Sequence, residues 1–95
     1  MAEVLVTPQA EADLQEIWLI IAVDNPTAAD RLLRRISKKL DFLGEFPEMG
    51  SPRPELTASA RILVEGNYVI LYEPSGESVV IVRVLHGARD LSDLL

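Results

Sequence analysis

The strongest constraint on this chain is a helix-starting signal that it uses twice. Thr7-Pro8 and Asn25-Pro26 each place a side-chain acceptor just before a proline. The Thr or Asn oxygen takes a backbone N–H that the first helical turn leaves unpaired, and proline there has no N–H to lose. After the first signal, Leu14, Ile17, Trp18 and Ile21 recur at helical spacing and predict one apolar face. Glu11 and Asp13 fall near the positive end of that helix's dipole. Asp24-Asn25-Pro26 ends the first helix and opens a second. In the second, Ala29, Leu32, Leu33, Ile36, Leu40 and Leu43 lie within about 100° of one another. Gly44 is the expected stop. Two amphipathic helices joined by so short a turn predict an antiparallel hairpin.

That hairpin needs an apolar surface to cover. Residues 3–6 read as a short opening strand. Residues 44–58 read as a loop, because Gly44, Pro47, Gly50, Pro52 and Pro54 punctuate it. Phe46 and Met49 are expected to pin the loop to the core. Segments 60–64, 68–73 and 79–85 are rich in Val, Ile and Tyr, with turn signals at Gly66-Asn67 and Pro74-Ser75-Gly76. The expectation is an α+β fold: an N-terminal strand and an antiparallel helix hairpin packed on a three- to four-stranded antiparallel sheet. At 95 residues it is a single domain spanning 1–95.

Charge narrows the function classes. The net charge is -6, which disfavours binding naked nucleic acid by bulk attraction. The charge is uneven, however. Residues 1–30 hold six acids and no Lys or Arg, whereas Arg31, Arg34, Arg35, Lys38 and Lys39 form an acid-free basic strip. Such a strip reads either as the wet side of a helix or as a docking surface for an acidic partner. There is no Cys, and the longest apolar run, residues 17–23, is too short to span a bilayer. With no basic leader before that run, the expected compartment is the cytoplasm.

Enzyme templates mostly fail. No glycine-rich phosphate loop is present, and a lone His86 cannot build a metal site without Cys, so no metal or cofactor is expected. A triad of Ser92, His86 and Asp90 lacks a nucleophile turn. Two groups stand out instead. Arg83-Val84-Leu85-His86-Gly87-Ala88-Arg89-Asp90 carries a His, an Arg and an Asp off a strand end. Tyr68 and Tyr72 share one face of their strand, near Arg61. The plain alternatives are a local Arg89–Asp90 ion pair and aromatic core packing with hydroxyls reaching water.

Taken in order, Ala12-Asp13-Leu14, Ile17-Trp18, Pro26-Thr27-Ala28-Ala29, Phe46-Pro47-Glu48-Met49-Gly50, Arg61, Tyr68-Val69-Ile70-Leu71-Tyr72 and Val84-Leu85-His86-Gly87-Ala88-Arg89-Asp90 resemble the ParE branch of the ParE/RelE toxin superfamily. The resemblance covers residues 4–95. It implies a cytoplasmic toxin of a type II toxin–antitoxin pair, neutralised by a cognate antitoxin and inhibiting DNA gyrase by binding rather than catalysis. The alternatives it implies are a RelE-type ribosome-dependent messenger RNA endoribonuclease and a non-toxic antitoxin-binding relative. The nuclease branch carries Arg just after Tyr68 and often a C-terminal Tyr; this chain has Val69 and ends Leu94-Leu95. Many relatives carry a Tyr where this chain has Ile20. On this reading Arg61, Tyr68, Tyr72, His86, Arg89 and Asp90 face the target, and Trp18, Arg31, Arg34, Arg35 and Lys38 face the antitoxin. No direct nucleic-acid or membrane partner is expected.

Overall fold

A computed structural model describes residues 2–87 and 90. The elements run β1 (Glu3–Val6), α1 (Pro8–Ala22), α2 (Pro26–Glu45), β2 (Ser51–Pro52), β3 (Arg61–Glu65), β4 (Tyr68–Ser75) and β5 (Ser78–His86). Both helix starts form as the sequence predicts. Thr7 Oγ1 accepts from Ala10 N–H, and Asn25 Oδ1 accepts from Ala28 N–H. No helix among the described residues is long and apolar enough to cross a membrane.

The sheet differs from expectation. It has five strands in the order β1-β5-β4-β3-β2, and it is mixed. β1 runs parallel to β5, with Val4 opposite Val79 and Val6 opposite Ile81, while the other pairs are antiparallel. The fifth strand is the two-residue β2, which pairs with Arg61 and Ile62 inside the segment expected to be irregular. Proline is tolerated there because β2 is an edge strand. The β3–β4 and β4–β5 connections are two-residue turns opening on Gly66 and Gly76, each at φ +58°. The second turn is Gly76-Glu77, so Pro74 and Ser75 belong to β4.

The hairpin packs one face of the sheet. Ile17, Leu32, Ile36 and Leu43 meet Ile70, Tyr72, Val79, Ile81 and Val84. Fully burying each aliphatic side chain contributes roughly 1.5–3 kcal/mol. On the other face, Ala60, Ile62, Val69 and Leu71 form a smaller cluster under Leu56 and Val82. Two loop expectations fail. Gly44 does not stop α2, which continues to Glu45. Gly44 instead admits the N-terminal strand: a Cβ there would sit 3.1 Å from Ala2 O, and Ala2 N–H donates to Gly44 O at 2.7 Å. Phe46 and Met49 do not pin the loop, because both are exposed.

Tyr72 holds that loop instead. Its ring is fully buried, and its hydroxyl donates to Pro47 O and accepts from Gly50 N–H, both at 2.8 Å. Burial pushes its pKa up. Arg61 adds bonds to the carbonyls of Glu48 and Gly50 at 3.0 and 2.7 Å. Removing the hydroxyl with Tyr72→Phe leaves two loop groups unpaired and should cost about 1–3 kcal/mol in urea unfolding. Gly50→Ala should cost more, since a Cβ would lie 2.6 Å from both Ile62 O and the Tyr72 hydroxyl. Wild-type stability in either variant would show that the anchor is dispensable.

Candidate functional site

β1 ends opposite Ile81, so β5 continues past it with an open edge. Side chains rather than a strand occupy that edge. Thr7 Oγ1 donates to Val82 O at 3.0 Å. Asp13 Oδ2 accepts from Val84 N–H at 3.0 Å, and Asp90 Oδ2 accepts from His86 N–H at 3.1 Å. These alternate positions all look toward α1. A register shift opposite Leu71/Tyr72 inserts an extra residue into β5, which lets both Arg83 and Val84 reach the helix side.

Asp13 is the centre of this arrangement and the only buried charged residue among those described. It lies on the core face of α1, between Ala10 and Ile17. Arg83 Nε and a terminal guanidinium nitrogen donate to its two oxygens at 2.7 and 3.0 Å, and Gln9 donates a further bond at 3.3 Å. Burial works to raise its pKa, but the bonds from Arg83, Val84 and Gln9 prevail and hold it below the ordinary value. Sequence reasoning assigned Asp13 to the helix dipole and missed this role. The available signal was an acid falling on the apolar stripe.

Beside Asp13 opens a cleft of about 430 Å³ between α1 and the end of β5. Glu16, Ile20, Tyr68, Arg83, His86 and Asp90 line it. Tyr68 and His86 pair edge to face, with ring centroids 5.6 Å apart. Among the described residues, His86 Nδ1 is buried without a hydrogen-bond partner. The structure thus brings together Tyr68, His86 and Asp90. It separates Tyr72 and Arg61 from them. Tyr72 has no exposed surface, and its hydroxyl reaches the loop rather than water, so both the surface role and the solvent-facing hydroxyl are corrected. Arg61 turns to the loop carbonyls. Arg89, Ser92 and the Leu94-Leu95 end lie outside the described residues. No group of three His, Asp or Glu side chains among the described residues is placed to hold a metal ion.

The expected antitoxin residues lie on the hairpin. Arg31, Arg34, Arg35 and Lys38 are exposed along α2, and Arg35 pairs with Glu65 at 3.4 Å. Trp18 is half-buried and donates its ring N–H to Asp30 at 2.8 Å.

Asp13→Asn gives a direct check on the central contact. At neutral pH it should destabilise by about 2 kcal/mol, because Arg83 and Val84 lose an ionised acceptor. The folded pKa of Asp13 lies below its ordinary 3.8, so its contribution is complete above the unfolded carboxylate range. It is lost as pH falls from about 5 through the depressed value. The gap between wild type and variant in urea unfolding should therefore narrow toward pH 3. A gap independent of pH would contradict this.

Comparison with known proteins is consistent throughout the chain. The family profile described as "ParE toxin of type II toxin-antitoxin system, parDE" matches residues 4–91. Toxin RelE2 of Caulobacter vibrioides is 38% identical over 89 residues, covering 94% of this chain and 99% of that protein. Toxin ParE3 of the same organism is 30% identical over 93 residues, covering 97% and 93%. Toxin ParE1 of Mycobacterium tuberculosis is 32% identical over 92 residues, covering 92% and 91%. A solved structure titled "Chromosomal ParDE TA system from P. aeruginosa" superposes with a TM-score of 0.76 at 22% identity, covering 90% of this chain and 96% of that one. That structure supports the two-helix, mixed-sheet fold, and the sequence matches support the ancestry: this chain belongs to the ParE toxin family of type II toxin–antitoxin systems.

Proposed function

We propose that this toxin acts by binding DNA gyrase rather than by cutting RNA, and that a cognate antitoxin neutralises it in the cytoplasm. The observation that carries the reading is Val69. By resemblance, the nuclease branch places an Arg just after Tyr68. Here that position holds a valine only 5% exposed, sealed into the cluster with Ile62 and Leu71. A cationic group there would have to leave its apolar neighbours to reach a phosphate. His86 and Tyr68 beside Glu16 and Asp90 offer an acidic cleft, which suits a protein surface better than a phosphodiester backbone.

The target-facing set is Tyr68, His86, Arg89 and Asp90, of which Arg89 rests on resemblance alone. Ile20, 62% exposed in the cleft, joins them at the position where many relatives carry Tyr. The name of the 38% identical relative, Toxin RelE2, favours a second reading: ribosome-dependent cleavage of messenger RNA.

A supercoiling assay with purified gyrase decides between them. The protein should block supercoiling and leave gyrase trapped on cut DNA, and Arg89→Ala should weaken that block by about tenfold or more while the melting temperature holds. Untouched gyrase alongside growth arrest would overturn the proposal in favour of the nuclease. Untouched gyrase with unimpaired growth would identify a non-toxic relative.

A further inference from the structure

The outer side of α2 carries charges in an order that reverses sign halfway along. Away from Ile36 and Leu43, Arg34, Lys38, Asp41 and Glu45 recur at intervals of four, three and four residues, and all four are exposed. Arg31 extends the line toward the helix start. The stripe is basic up to Lys38 and acidic from Asp41. Within one chain this order is unfavourable. Arg31 with Arg34, Arg34 with Lys38, and Asp41 with Glu45 set like charges three or four positions apart, which weakens an isolated helix. None of these five residues forms an ion pair among the described residues.

Turned end for end, the stripe complements itself. Two copies of α2 laid antiparallel, with a two-fold axis midway between Lys38 and Asp41, set Lys38 of each against Asp41 of the other and Arg34 against Glu45. Arg31 comes level with the loop that carries Glu48. The spacing of four, three and four is that of a coiled-coil seam, which keeps two helices in contact at a shallow crossing angle. Phe42, 50% exposed, flanks the seam. The symmetry puts both copies of its ring on one side, about 7.5 Å apart along the helix, where they shield the central pairs from water. A parallel pairing would set Arg34 and Lys38 against their own copies, and a wholly acidic partner would leave Asp41 and Glu45 facing like charge.

The geometry points to a second copy of this chain as the occupant of this face: an isologous, antiparallel α2–α2 dimer held by Arg34–Glu45 and Lys38–Asp41 pairs across the axis and flanked by Phe42. From Arg34 to Glu45 the seam is about 17 Å long. So small and charged a contact makes the dimer reversible and sensitive to salt. It stands whatever the toxin's target. It also covers two of the cations expected to meet antitoxin, so a second copy and an antitoxin bound to those cations exclude each other.

The test is sedimentation equilibrium of the full-length chain at low ionic strength over a range of concentrations. Wild type should shift from monomer to dimer with concentration and return to monomer near about 0.5 M salt. Arg34→Glu with Lys38→Glu, and separately Asp41→Lys with Glu45→Lys, should each weaken self-association by about tenfold or more. Mixing these two variants should restore a dimer. All four changes in one chain leave the net charge at -6 and should restore self-association as well. Phe42→Ala should weaken the wild-type dimer severalfold. Unaltered melting temperatures show that each variant still folds. A wild type still monomeric at about 1 mM overturns the proposal and leaves the face to a partner of another kind. Half-swapped variants that dimerise like wild type place the contact elsewhere, and folded variants that fail to pair on mixing rule out this register; either result overturns it.

Discussion

The fold depends on a carboxylate filling the place of a missing strand. β1 is four residues long and leaves β5 without a parallel partner from Val82 to His86, more than half of its length. An open sheet edge beside a packed helix would bury unpaired backbone groups, each costing about 1–3 kcal/mol. Asp13 resolves this from α1 by accepting from the Val84 N–H and from Arg83 together. Thr7 acts one step earlier, capping α1 while donating to Val82 O. The start of the first helix and the end of the last strand are thus locked to each other across the length of the chain. The hairpin follows, because α2 packs on α1 and on the same sheet.

A second lock operates at the other end of the sheet. Tyr72 and Arg61, paired across β4 and β3, reach out together to hold the 47–50 backbone. With the loop held from its backbone, its own side chains are free to face water. This is how Phe46 and Met49 come to be exposed on a loop that is nevertheless fixed. Nearby, the hydroxyls of Thr57 and Ser59 both donate to Glu73 and lower its pKa, tying the remainder of the loop to β4.

Local chemistry was legible in the sequence, and long-range partnership was not. The two proline-capped helices, the α2 core face and the Gly66 turn each depend on residues adjacent in the chain, and each formed as read. The parallel pairing of β1 with β5 joins residues more than seventy positions apart, which no local pattern encodes. β2 is too short to have a periodicity. Asp13, Tyr72 and Arg61 were misplaced for one shared reason: polar residues near apolar ones were read by their surroundings in sequence. Their roles come from backbone groups contributed by distant segments. Within the cleft, Tyr68, His86 and Asp90 come together because they sit close to the β4–β5 strand ends. Glu16 joins that lining from α1, a neighbourhood that no pattern local to the strands encodes, and Ile20, marked in the sequence only by the Tyr that many relatives carry there, lines it as well.

Function then divides by surface. The cleft between α1 and β5 is set by the Asp13 lock, and the exposed basic strip lies along α2 of the same hairpin. The first is the proposed target face and the second the proposed antitoxin face. What separates this account from the nuclease alternative is whether messenger RNA is harmed directly. The most direct measurement is protein synthesis in a cell-free translation reaction supplied with purified messenger RNA, where gyrase is not needed. The account predicts unchanged synthesis even with the toxin in molar excess over ribosomes. Synthesis that falls while the messenger is cut would contradict it.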